Sequence, residues 1–232
     1  RVRGQANVVV SLPGFAVSGT EITLLVSYSG RLVPPPPDRE GFGPQFPQDP
    51  SVGVDDVRFT GEPSVLYSTN SAWYPQGAAT AYGSARMTLT VPERFQVLAS
   101  GNLQPGFPKA APAISGKVPA VQYDFETTQP VRYLACVISR FERVVSTRIP
   151  TRYEGSGDVG GVTLSIETNS RQIAKGRETL PIAERVLRYY TSVIGDTPYP
   201  SLTLGLIAGD TPGGDSPAYM SLLNQPLPSS SF

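Results

Sequence analysis

Histidine is absent from this chain of 232 residues, and cysteine occurs once, at Cys136. These two gaps remove most of the familiar chemistry. A Ser-His-Asp or Cys-His arrangement has no base. A catalytic zinc site wants three protein ligands, usually with imidazole among them. Only carboxylates remain, and they are poorly placed. Asp55 and Asp56 are adjacent, so in a strand they point to opposite faces, while Glu178 and Glu184 do not share a helical turn. No Ser-x-x-Lys pattern contains Lys109, Lys117 or Lys175, and no Ca²⁺ loop is present. Gly155-Ser156-Gly157 and Gly160-Gly161 do not sit between a strand and a helix, as phosphate-cradling loops must. Cys136 has apolar neighbours in Tyr133, Leu134, Val137 and Ile138, which predicts a buried core thiol.

Charge is also scarce. Charged residues make up 16% of the chain, and 19 basic residues balance 19 acidic ones. Basic residues are scattered singly, as at Arg58, Arg86 and Arg94, so no stripe for nucleic acid is present. A neutral balance gives no reason to expect a membrane-surface partner. No apolar run reaches the length of a membrane span. The chain opens at Arg1 inside strand-like sequence and reads as a piece of something longer.

What is present is β-pattern. Asn7–Leu12 and Glu21–Tyr28 alternate apolar and polar residues, as half-buried strands do. Arg86–Val91, Phe95–Leu98, Val121–Phe125, Tyr133–Phe141 and Val162–Glu167 continue the series. Two proline-rich segments, Leu32–Pro50 and Gln104–Pro119, are expected as loops, because proline is excluded from central strands. Pro34–Pro37 also has the composition of a polyproline ligand. Tyr153–Gly161 reads as a turn near a domain boundary. Short, regularly spaced strands predict antiparallel sheets in a sandwich or saddle.

The one helix comes late. From Ile173, the apolar positions Leu180, Ala183, Val186, Leu187, Tyr190 and Ile194 form a one-sided stripe. Gly195 suits the helix stop, and Pro198 prevents resumption. Pro181 predicts either a kink or a second helix capped by Thr179. Leu202–Ile207 is a continuous apolar run, as in a strand buried on both faces. A glycine-rich edge segment follows.

Three groups of residues, in order, resemble one family. The first is Trp73-Tyr74-Pro75, Ala85–Pro92 and Ala99–Leu103; the second is Phe125–Thr128, Pro130, Tyr133-Leu134-Ala135 and Phe141-Glu142. The third is helix, Ile194-Gly195, Pro198-Tyr199-Pro200, strand, then Gly213-Gly214. Together, over roughly residues 60 to 225, they resemble the N-terminal part of the M1 family of zinc metallopeptidases, the gluzincin aminopeptidases. The resemblance implies a mostly β fold. An N-terminal β-sandwich or saddle domain would span residues 1–150, and residues 151–232 would be the first strand, helix and edge strand of a thermolysin-like α/β domain. It also implies that the chain stops short of the family's His-Glu-x-x-His zinc helix.

In that family a Gly-Ala-Met-Glu-Asn segment pairs with the substrate backbone, and its Glu holds the free amine. The matching residues here are Gly213, Gly214, Asp215 and Ser216, the candidate substrate-binding residues; the segment has no Glu, and Asp215, its only carboxylate, stands in a shifted register. The family's Cys-x-Asp-x-Pro core is replaced by Gln76–Thr80. Two readings follow. In one, this is a non-catalytic portion of a zinc metallopeptidase. Its partners are then a peptide and the rest of the catalytic domain, and zinc belongs to the full-length parent rather than to this chain. In the other, it is a freestanding β-sandwich interaction module without enzymatic activity.

Overall fold

The structure is a computed structural model and describes residues 14, 19, 21–30, 64–68, 71, 73–76, 81–150, 160–195, 197–208 and 214–225. The fold is mostly β, with three sheets and one long helix. The strands are β1 (Val65–Tyr67), β2 (Arg86–Pro92), β3 (Gln96–Ala99), β4 (Asn102–Leu103), β5 (Lys109–Ile114), β6 (Val118–Glu126), β7 (Cys136–Ser139), β8 (Glu142–Pro150), β9 (Gly161–Thr168), β10 (Ser201–Ala208), β11 (Gly214–Asp215) and β12 (Met220–Gln225). The helix α1 is Ile173–Ile194, entered through a 3-10 turn at Ser170–Gln172.

The sheets stack as layers, and alternation along each strand says which face meets which neighbour. A four-stranded sheet runs β2-β6-β4, with β5 also on β6. Its Met87, Val91, Tyr123 and Phe125 pack on Val97, Ala99 and Cys136 of the three-stranded sheet β1-β7-β3. The other face of that central sheet presents Leu98 and Val137, which pack on Met220 and Leu222 of a five-stranded sheet. The central sheet is therefore covered on both faces, and β3 and β7 read as near-continuous apolar runs for that reason. The five-stranded sheet, ordered β11-β12-β10-β9-β8, buries Leu164, Ile166, Leu204 and Leu206 beneath Leu180, Ala183 and Leu187 of α1. Each fully buried leucine or isoleucine contributes about 1.5–3 kcal/mol.

Parallel pairing of β9 with β10 requires a crossover, which α1 supplies. Gly176 lets the helix approach: a Cβ there would lie 2.8 Å from Thr168 Cγ2 and 3.0 Å from Val144 Cγ2. Gly195 ends α1 at φ 84°, with its N–H bonded to Thr191 O.

Several expectations are corrected. Residues 21–30 carry no regular structure and are exposed throughout, because no strand among the described residues pairs with them. Without a ladder partner, their alternating pattern has no face to bury. Gln104–Pro119 is not only a loop: Lys109–Ile114 forms β5, and Pro112 falls within the register shift between Ala111 and Ile114. An edge strand with a bulge is where proline is tolerated. The run Tyr133–Phe141 yields a strand only at Cys136–Ser139, and Glu142–Pro150 forms β8. That last strand pairs with β9, with Pro150 opposite Gly161. Pro181 lies inside one uninterrupted helix, and Thr179 is no cap: its hydroxyl donates to Lys175 O at 2.8 Å. Val186, Tyr190 and Ile194 are exposed, because α1 rests on β8 and β9 and its apolar arc is wider than that contact. Asn7–Leu12, Leu32–Pro50 and residues 153–159 lie outside the described residues.

Candidate functional site

The candidate residues sit at one edge of the five-stranded sheet. β11 pairs antiparallel with β12, placing Gly214 opposite Leu223 and Asp215 opposite Leu222. The glycine-rich edge segment thus forms a strand at Gly214–Asp215 and leaves the ladder after Asp215. The cause is local. Pro217 cannot donate to a ladder, and its carbonyl instead accepts the Met220 N–H at 3.2 Å, closing a turn. Ser216 is exposed, and its hydroxyl meets that of Ser221 across the turn at 2.8 Å. Asp215 is half-buried. Gly214, Asp215 and Ser216 are consecutive residues at this edge. Gly213 lies outside the described residues.

Asp215 shares its register row with Leu222, Gly205, Glu167 and Arg143, one residue from each strand. Opposed residues share a face, so this row lies on the face turned toward the central sheet. Gly205 has no room for a side chain, since a Cβ would lie 2.9 Å from Leu222 Cδ2 and 3.0 Å from Leu98 Cδ1. The row therefore places a buried apolar plug between the edge carboxylate and Glu167.

Glu167 is the polar residue that sequence reasoning missed. Its strand was anticipated, but not its burial at 2% exposure. Arg143 on β8 donates through Nε to Glu167 Oε1 at 2.6 Å. Burial pushes the Glu167 carboxyl above its ordinary value, and the guanidinium only partly opposes this. Asp124, on β6, shows the reverse balance. Arg86 donates to it through Nε at 3.1 Å to each oxygen, and that pairing holds the Asp124 carboxyl below its usual value. Both pairs join neighbouring strands and read as structural.

Tyr219 was also missed. It lies in the turn before β12, is 2% exposed, and has φ 71°. Its hydroxyl accepts the backbone N–H groups of Thr128 at 2.9 Å and Gln129 at 3.2 Å. Its ring lies 4.2 Å from that of Tyr199. Nothing in the local sequence signals this, because the partners are about ninety residues away.

Cys136 is buried as expected, and desolvation pushes its thiol up to about 12, which makes it inert. Among the described residues, no group of three or more His, Cys, Asp or Glu side chains is placed to hold a metal ion. No helix among them is long and apolar enough to cross a membrane. No family model matches the chain, and no curated protein matches it.

Proposed function

We propose that this chain is a peptide-binding, non-catalytic portion of an M1-like zinc metallopeptidase, in which an extended peptide pairs with the Gly214–Ser216 edge. The observation that carries this reading is the two-residue strand β11, which ends the five-stranded sheet with glycine and aspartate. A sheet edge offers unpaired N–H and C=O groups to an incoming strand. Glycine at such a position lets another backbone come close. The resemblance noted in the sequence supports the same assignment, with Asp215, one position out of register, as the segment's carboxylate for the substrate amine. On this reading zinc and its ligands lie outside these 232 residues, since the chain has no histidine. Peptide hydrolysis then belongs to the full-length parent.

The test is a titration of the purified chain with a fluorescently tagged short peptide carrying a free N-terminus, beside its N-acetylated twin. The reading expects saturable binding, weaker for the acetylated peptide and weakened by Gly214→Val. No binding of either peptide removes the reading and favours an interaction module of another kind.

A further inference from the structure

We infer that Tyr219 is the positioning residue of the candidate peptide edge, the point at which the β-sandwich holds the β11–β12 turn in place. This rests on the reading of Gly214–Ser216 as a peptide site only for its functional consequence; the mechanical claim stands on geometry alone.

Three observations converge on this side chain. The first is the backbone. Tyr219 has φ 71°, in the left-handed region that a bulky aromatic residue rarely enters. Such conformations persist only where the surroundings over-determine them, and they cluster at functional sites. The second is the hydroxyl. It takes up two successive backbone N–H groups, Thr128 at 2.9 Å and Gln129 at 3.2 Å, and meets Thr128 Oγ1 at 3.1 Å. A phenol oxygen has two lone pairs and one hydrogen, so this set occupies it fully. The third is location. Tyr219 immediately precedes β12 and lies within the Pro217–Met220 turn, so its backbone fixes where the chain reverses between β11 and β12. Its own carbonyl accepts the Thr203 N–H at 2.9 Å, tying the same residue to β10.

β11 meets β12 through two register pairs and the exposed Ser216–Ser221 hydroxyl contact. The turn beneath it joins the two strands. Tyr219 connects that turn to residues 128 and 129, just beyond β6, and so sets the edge against the sandwich rather than against its own sheet alone.

The experiment is hydrogen exchange on the full chain, followed in the segment 214–223 and, as a control, in β9. Tyr219→Phe keeps the ring packed on Tyr199 and removes only the hydroxyl. It should speed exchange in 214–223 by about tenfold while β9 keeps its rate, because the turn loses its two bonds to the Thr128 and Gln129 N–H groups. Thr128→Val removes only the Oγ1 contact and should speed the same segment by a smaller factor. Peptide affinity should fall in Tyr219→Phe in step with the exchange. Exchange that rises everywhere, or nowhere, overturns the inference. If wild-type chain binds no peptide, the functional reading falls, and the exchange measurement still decides the role of Tyr219. If Gly214→Val abolishes binding but Tyr219→Phe changes neither exchange nor affinity, the peptide site stands and this inference does not.

Discussion

β8 closes the five-stranded sheet with nine residues, Glu142–Pro150, whereas β11 ends it with two, Gly214–Asp215. The long edge carries devices that discourage pairing. Glu142, Arg143 and Arg148 bear charge and are exposed, the register shifts between Arg143 and Val145, and proline ends the strand. Charge, bulges and proline are how edges resist addition of another strand. The short edge has a glycine and a single half-buried aspartate, and its proline, Pro217, comes only after the ladder has ended. Among the described residues, one sheet therefore presents a blocked edge and an open one. The open edge lies on a turn that Tyr219 bonds to residues 128 and 129. Exposed edge length alone is a poor guide to where a peptide adds; the chemistry along the edge decides.

The largest effect should come from removing what lies under the open edge. Leu222 is 1% exposed and stands opposite Asp215. Leu222→Ala is expected to lose about 2–5 kcal/mol of stability, from lost burial and the cavity left behind. Urea unfolding measures this. A loss confined to a few tenths would show that the edge row is not part of the packed interlayer core.

The blocked edge is expected to respond through charge. Arg143→Ala leaves the Glu167 carboxylate without its donor and should cost about 1–3 kcal/mol at neutral pH. The sign with pH follows from the raised carboxyl. The folded chain holds its proton at pH values where the unfolded chain has released it. The stability this contributes is present below the ordinary glutamic acid range and is lost as pH rises through the raised value. Asp124, held low, runs the other way: its contribution is present above the ordinary aspartic acid range and is lost as pH falls through its lowered value. Glu167→Gln should flatten the first slope and leave the second. Unfolding midpoints across the acidic range would separate them.

Gly214→Val tests the contrast in binding rather than stability. It should weaken a free-amine peptide by about tenfold or more, about 1.4 kcal/mol, with little change in the unfolding midpoint. Arg148→Val on the blocked edge should leave peptide affinity unchanged. The smallest effect belongs to Asp215→Ala. It should weaken free-amine peptides several-fold and acetylated peptides hardly at all, measured by paired titrations. Equal losses for both peptides would deny Asp215 its role with the amine.

Much of the fold was legible in the sequence because it obeys periodicity. Arg86–Val91 alternates, and β2 has one face on the core. Leu202–Ile207 is a continuous apolar run and lies between β9 and β12. Gly195 stops α1 where expected. The failures share a different cause. β5 was hidden by Pro112, since composition does not reveal that a strand lies at an edge. Glu21–Tyr28 had the right pattern but no partner among the described strands. At the candidate site, the order of neighbouring motifs pointed to a glycine-rich edge segment, and the structure has a short strand at Gly214–Asp215. Glu167 and Tyr219 were not, because their importance comes from cross-strand register and from contacts about ninety residues away.

The central claim is that the Gly214–Asp215 edge, and not the Glu142–Pro150 edge, receives an extended peptide. Amide exchange in the presence and absence of a saturating free-amine peptide tests it most directly. The account predicts new protection in residues 214–216 and none in residues 142–150. Protection appearing along 142–150, or at neither edge while the peptide is bound, would contradict it.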